Sequence, residues 1–189
     1  MKHIILASSS TYRKDILLKT GIDFEVIPSK YEENNDLDLT PDKLVEHLAL
    51  GKASDVAGRY PGSVVIGADT IVYFDGRVIG KPKSREEQIS NLRAFSGKFH
   101  SAYTGLVIIE GNHVVVDSLE TKIYFRELSD EEIDRYVYQD KRRDNAGGYA
   151  IQGKGALFVT GIEGDYYNAI GLPLNLLGVR LKEFGIEFL

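Results

Sequence analysis

Lys52 falls on the apolar stripe of a helix, among Leu44, Val45, Leu48, Ala49, Ala53 and Val56. A lysine there either lays its stem along the core and carries its ammonium to the rim, or points at an anion. A point charge with three donors suits a phosphate. Asp69 poses a similar choice. The run Ser63-Val64-Val65-Ile66-Gly67-Ala68 is apolar or small and delivers Asp69-Thr70 into a second apolar run, Ile71-Val72-Tyr73-Phe74. The aspartate is either a bulge or turn residue bonded to its own backbone, or a metal ligand or general base, since buried carboxylates persist only with a partner.

Further charged groups sit beside turns. Gly80-Lys81-Pro82 presents a lysine at the tip of a tight turn. In Ser8-Ser9-Ser10-Thr11-Tyr12-Arg13, hydroxyls and N–H groups gather at a helix start, with Arg13 in the first turn against the helix dipole. That segment is an N-cap with an exposed arginine, or an anion site. In Gly147-Gly148-Tyr149-Ala150-Ile151-Gln152-Gly153-Lys154-Gly155, one amide lies among glycines that permit close backbone approach; the alternative is a surface turn. Glu32-Glu33 offers a carboxylate pair for a divalent cation, or a solvated loop. Walker A, GxGxxG, GxSxG and HExxH patterns are absent, and His3, His47, His100 and His113 show no ligand spacing. Several cations, a buried carboxylate and a second acidic site suit a phosphate ester with a hard divalent metal.

These residues need elements to hold them. The spacing predicts a strand over 4–7, a helix over 11–19, a strand over 24–27 stopped by Pro28, and an acidic loop over 29–39. Thr40 as N-cap and Pro41 at the first helical position open a helix to about residue 58. A strand over 63–72 follows, then the Asp75-Gly76 hairpin signal leading into Val78-Ile79. Ser84 with Glu87, and Ser129 with Glu132, are capping boxes for two further helices. Strands are expected over 102–109, 114–125 and 156–159, a basic Gly-rich loop over 141–155, and a C-terminal helix from Pro173 to about Gly185. Alternating strands and helices with a hairpin-rich middle indicate an α/β fold with a mixed sheet.

The chain has 189 residues, enough for one domain or two small lobes sharing a cleft, and no Cys, which excludes disulfides, zinc fingers and Cys nucleophiles. No apolar run approaches a membrane span, and Ile4-Ile5-Leu6-Ala7 is too short for a signal peptide's core, so a cytoplasmic globule is expected. A net charge of −5 argues against nucleic acid as a partner, and Arg142-Arg143 is only a short basic patch.

Taken together these motifs resemble those of the Maf family of nucleoside triphosphate pyrophosphatases, in order and over nearly the whole chain. Residues 5–13 resemble its N-terminal signature, Lys52-Ala53 its helical lysine, and Gly67-Ala68-Asp69-Thr70 its GADT motif. Gly80-Lys81-Pro82 corresponds to GKP, and Gly148-Tyr149-Ala150-Ile151-Gln152-Gly153 to its late glycine-rich motif. The resemblance implies one Maf-like domain over 1–189, a mixed β-sheet with flanking helices and two lobes around a cleft, similar to inosine triphosphate pyrophosphatases. It also implies hydrolysis of a nucleoside triphosphate to monophosphate and pyrophosphate with Mg²⁺ or Mn²⁺, and a homodimer. With no Cys, the metal is left with oxygen ligands.

By the same resemblance Asp69 binds metal or accepts the proton of the attacking water, with Glu33, or Glu32 if the register slips by one, as the second acidic residue. Arg13, Lys52 and Lys81 hold the phosphates, Ser8 and Ser10 contact them, and Thr70 and Gln152 match positions tied to substrate choice. Thr70 and Gln152 point to dTTP and UTP. Tyr12 departs from the arginine of that subgroup and resembles the aromatic of the 7-methyl-GTP subgroup, placed to stack on a base. The other readings are a pyrophosphatase for 7-methyl-GTP or another modified nucleotide, and a nucleotide-binding regulator of cell division without turnover.

Overall fold

The computed structural model describes residues 2–35, 37–139 and 145–187. Strands β1 (Ile4–Leu6), β2 (Glu25–Val26), β3 (Val64–Phe74), β4 (Arg77–Ile79), β5 (Phe99–Glu110), β6 (His113–Phe125) and β7 (Val159–Glu163) form a sheet in the order β2-β1-β3-β5-β6-β7, with β4 on β3. It is mixed, as the alternation of elements predicts: β1 runs parallel to β2 and β3, while β3 with β4 and β6 with β7 are antiparallel. The helices are α1 (Thr11–Leu18), α2 (Pro41–Arg59), α3 (Arg85–Phe95), α4 (Asp130–Gln139), α5 (Tyr166–Ile170) and α6 (Leu174–Leu181). Among the described residues no helix is long and apolar enough to cross a membrane.

The chain divides into two compact units, one of Met1–Thr70, Thr104–Leu119 and Gly171–Leu189, the other of Ile71–Tyr103 and Glu120–Ile170. In the first, the predicted stripe of α2 is buried: Ala49, Ala53 and Val56 pack on Ile5, Ala7, Val65 and Val107. Two glycines let the helix lie close. A Cβ on Gly67 of β3 would fall 2.8 Å from Ala53 Cβ, and one on Gly105 of β5 would run into the backbone of Val45. The second unit has an aromatic core of Phe95, Phe125, Tyr136, Tyr149 and Phe158.

The helix starts follow the predicted caps with two differences. Ser129 and Glu132 close a reciprocal box, each taking the other's N–H. Ser84 accepts the N–H of Glu87, but the Glu87 carboxylate takes the N–H of Lys83 rather than that of Ser84. Thr40 makes no capping bond to the backbone; its hydroxyl serves the Asp42 carboxylate and holds that acid below its ordinary pKa. The strand expected over 156–159 is instead a 3₁₀ helix, Lys154–Phe158, with β7 beginning at Val159. Tight turns win there: Gly153 N–H bonds Ala150 O, and Ala156 N–H bonds Gly153 O, both at 3.0 Å. Part of the loop expected over 141–155, including Arg142-Arg143, lies outside the described residues.

Candidate active site

In the first unit the Lys52 ammonium lies 2.5 Å from Asp69 Oδ1 and 2.8 Å from Glu33 Oε1. Its side chain is 13 % exposed, against 8 % for Asp69. Lys52 therefore does not run to the rim, and Asp69 is a residue of continuous strand, not of a bulge or turn. The close α2–β3 packing at Gly67 carries the ammonium to the carboxylate, because Lys52 precedes Ala53 on the helix and Asp69 follows Gly67 on the strand.

Glu33 belongs to an irregular segment and reaches Lys52 by a different device. Asp55 of α2 accepts the Ser29 hydroxyl and the N–H of Lys30, and these bonds with Arg59 hold its carboxyl below the ordinary range. The Tyr31 ring then covers Gly51, where any Cβ would collide with it. Its hydroxyl lies 3.2 Å from His47 Nε2. With 29–31 fixed on α2, Glu33 extends to the ammonium and Glu32 stays exposed.

Arg13 is bound on all three nitrogens. Nε donates to the carbonyl of Gly171 at 2.7 Å, one terminal nitrogen to Ser8 Oγ at 3.3 Å and the other to Thr70 Oγ1 at 2.9 Å. Ser8 Oγ also accepts the N–H of Ser10, and Ser10 caps α1 by accepting the N–H of Arg13. Burial lowers the guanidinium's pKa, opposed by the charges of Asp69 and Glu33; an arginine stays protonated all the same. Among the described residues three of the five guanidinium N–H donors are used, leaving two for a ligand. The first unit thus assembles Ser8, Ser10, Arg13, Glu33, Lys52, Asp69 and Thr70. Tyr12 is half-buried on the first turn of α1.

Lys81 and Gln152 belong to the second unit, and both are exposed. Lys81 sits in an irregular segment after β4, not in the tight turn expected from Gly80-Lys81-Pro82, and that segment is joined to the later glycine-rich segment by the Gly147 N–H on Gly80 O at 3.0 Å.

Sequence reasoning missed Thr104 and Gly171. Thr104 is fully buried on β5 with Oγ1 2.9 Å from Thr70 Oγ1. A threonine in a β-rich run gives no local sign of that. Gly171 precedes Leu172-Pro173, a breaker pattern that marks a turn but not the arginine bonded to it.

A divalent cation can be tested against this donor set. Among the described residues no group of three acidic or imidazole side chains could hold a metal ion. Mg²⁺, however, is commonly bound by one or two carboxylates plus substrate phosphates, keeping several waters. Asp69 and Glu33 meet that requirement: both are hard oxygen donors, and they already converge on one cation, the Lys52 ammonium. The residues fit the group.

The sequence matches the family Maf, described as Maf-like protein, over residues 3–184. A dTTP/UTP pyrophosphatase of Bacillus anthracis is 45% identical over 187 residues, covering 99% of this chain and 98% of its own. A dTTP/UTP pyrophosphatase of Bacillus cereus is 44% identical over 187 residues, covering 99% and 92%. Among solved structures, the Ham1 protein of Staphylococcus aureus aligns over 97% of this chain and 100% of its own, with TM-score 0.55 and 15% identity. The HAM1 protein of Coxiella burnetii gives 0.52 and 14% over the same shares. These two likenesses concern the fold alone.

Proposed function

The chain belongs to the Maf family, and from that premise we propose that it is a nucleoside triphosphate pyrophosphatase acting on dTTP and UTP, as one Maf-like domain over 1–189. The observation that carries the chemistry is the buried Asp69 carboxylate, gathered with Glu33 on the Lys52 ammonium in the unit that also holds Arg13. The base preference is supported by the relatives at 44–45% identity, named for dTTP and UTP.

The reaction cleaves the anhydride between the α and β phosphates, giving monophosphate and pyrophosphate. Asp69 accepts the proton of the attacking water; its position among apolar strand residues excludes competing solvent. Lys52 keeps the two carboxylates from repelling each other and presents positive charge to the phosphates. Arg13 offers its two remaining donors from a fixed geometry, and Ser8 and Ser10 add hydroxyl or backbone contacts. In the second unit Lys81 is assigned to phosphate and Gln152 to substrate choice. Asp69 and Glu33 would hold Mg²⁺ or Mn²⁺, which when bound neutralises phosphate charge. Thr70 acts on substrate choice through Arg13, because its hydroxyl is already committed to Arg13 and Thr104.

A second reading, 7-methyl-GTP or another modified nucleotide, is favoured by Tyr12, whose partly exposed ring is suited to stacking on a base. One experiment separates these readings: canonical and modified nucleoside triphosphates with Mg²⁺ or Mn²⁺, scored for monophosphate and pyrophosphate. The highest kcat/KM is expected for dTTP and UTP. A higher value for 7-methyl-GTP would move the base assignment, and no turnover across the panel would sink the enzyme reading and leave a nucleotide-binding regulator.

A further inference from the structure

Three buried polar side chains of the second unit converge on one turn. Gln88 of α3 is 1 % exposed, and its amide nitrogen donates to the carbonyl of Gly148 at 2.6 Å. The Tyr136 hydroxyl of α4 accepts the N–H of Ala150 at 3.1 Å. Between them, His100 Nε2 of β5 lies 2.6 Å from the hydroxyl of Tyr149. Residues 148, 149 and 150 are thus each held by a side chain from a different element.

The cost of this arrangement makes it informative. A buried polar group loses its water and recovers that loss only through a well-made bond. Apolar side chains would fill the same space without desolvation, as Phe95, Phe125 and Phe158 do beside it. His100 is also stacked on Phe95 with ring centroids 4.2 Å apart, so its ring direction is set. Burial lowers its pKa to about 3, which keeps the imidazole neutral near pH 7. The same segment is locked to the one that carries Lys81: Gly147 N–H bonds Gly80 O, and a Cβ on Gly148 would fall 3.1 Å from Pro82 Cγ.

We infer that Gln88, His100 and Tyr136 are positioning residues that hold residues 147–152 and the segment 80–82 as one rigid piece, presenting Gln152 and Lys81 to a nucleoside triphosphate in fixed geometry. Both side chains are exposed, so their reach is set by the backbone beneath them. Fixing that backbone beforehand removes an ordering cost that binding would otherwise carry. This inference rests on the proposed assignment of Lys81 and Gln152 to substrate.

The test is steady-state kinetics with dTTP and Mg²⁺ on the full chain and on Gln88→Leu, Tyr149→Phe, Lys81→Ala, Gln152→Ala and Gln88→Leu/Gln152→Ala. Gln88→Leu keeps the volume and removes the donor; Tyr149→Phe removes one oxygen. Each is expected to lower kcat/KM by roughly tenfold to a hundredfold, mostly through KM, with circular dichroism unchanged. A positioning role further requires that the double variant lose at least fivefold less than the product of the two single losses, because Gln88 then acts through Gln152. Losses that multiply, or wild-type kcat/KM in both Gln88→Leu and Tyr149→Phe, overturn the inference while leaving the substrate assignment standing. Wild-type kcat/KM in both Lys81→Ala and Gln152→Ala overturns that assignment and the inference with it. Should Gln88→Leu fail to fold, Tyr149→Phe and its combination with Gln152→Ala carry the same comparison.

Discussion

Lys52 Nζ lies 2.5 Å from Asp69 Oδ1, joining the buried face of α2 to the middle of β3. Each residue interrupts an otherwise apolar surface, and each is the reason the other is tolerated. Glu33, 43 % exposed, adds a second carboxylate to the same ammonium, so the cluster carries one net negative charge, two carboxylates against one ammonium. Arg13, whose guanidinium feels both carboxylates, balances that charge, so the site offers carboxylate oxygens to a cation and positive charge to a phosphate.

Asp69→Asn keeps the shape of the side chain and removes its basicity. Turnover of the preferred triphosphate should fall by about 10³-fold or more, as for loss of a general base. Circular dichroism and cooperative unfolding should persist. An Asp69→Asn protein with wild-type kcat would refute the assigned role.

Lys52→Met leaves the Asp69 carboxylate buried without its closest cation. Breaking a buried pair from one side costs about 3 kcal/mol, so the urea midpoint should drop clearly at pH 7. The Lys52→Met/Asp69→Asn double variant should recover most of that loss, because the stranded charge has gone. If Lys52→Met unfolds at the wild-type midpoint, the pair does not hold α2 to β3.

The parts of this site that were readable in the sequence are those whose neighbours lie along one element. Lys52 betrays itself because six apolar residues share its helix face, and Asp69 because apolar residues flank it on a strand. The caps at Ser10, Ser84 and Ser129 are legible for the same reason: donor and acceptor sit within a few residues. Thr104, Gly171 and Gln88 are not legible, since each acts on a residue more than thirty positions away or on a backbone carbonyl. The 3₁₀ helix at Lys154–Phe158 is not legible either, because Leu157-Phe158-Val159 has strand-like composition while the deciding bonds come from Ala150 and Gly153.

The buried imidazole sets a pH dependence of stability. His100 has its pKa lowered to about 3 in the folded chain, against an ordinary value near 6.5. Between those values the unfolded chain binds a proton that the folded chain does not, so stability rises with pH. It is fully present above about 6.5 and is lost on acidification by about 1.4 kcal/mol per pH unit. Glu132, held down to about 2 by Arg126, adds its own loss only below its ordinary value of 4.5. Urea unfolding from pH 5 to 7.5 should therefore show a steeper pH slope for wild type than for His100→Gln. Parallel slopes would mean that His100 is protonated when folded.

Gly171 has φ +123°, and a Cβ there would fall 3.2 Å from Thr70 Oγ1 and 3.4 Å from Arg13 Nε, the nitrogen bonded to the Gly171 carbonyl. Gly171→Ala therefore strains the turn and pushes on both residues that set the guanidinium's position. The strain should cost about 1–3 kcal/mol in unfolding free energy. Displacing Arg13 should also lower kcat/KM about tenfold or more, read mainly as a rise in KM for the triphosphate. Thr104→Val separates the two effects. It keeps the buried shape and removes only the hydroxyl facing Thr70, so it should perturb kinetics without the strain of a left-handed alanine. A Gly171→Ala protein that is destabilised yet has wild-type KM would show that the turn serves the fold and leaves Arg13 undisturbed.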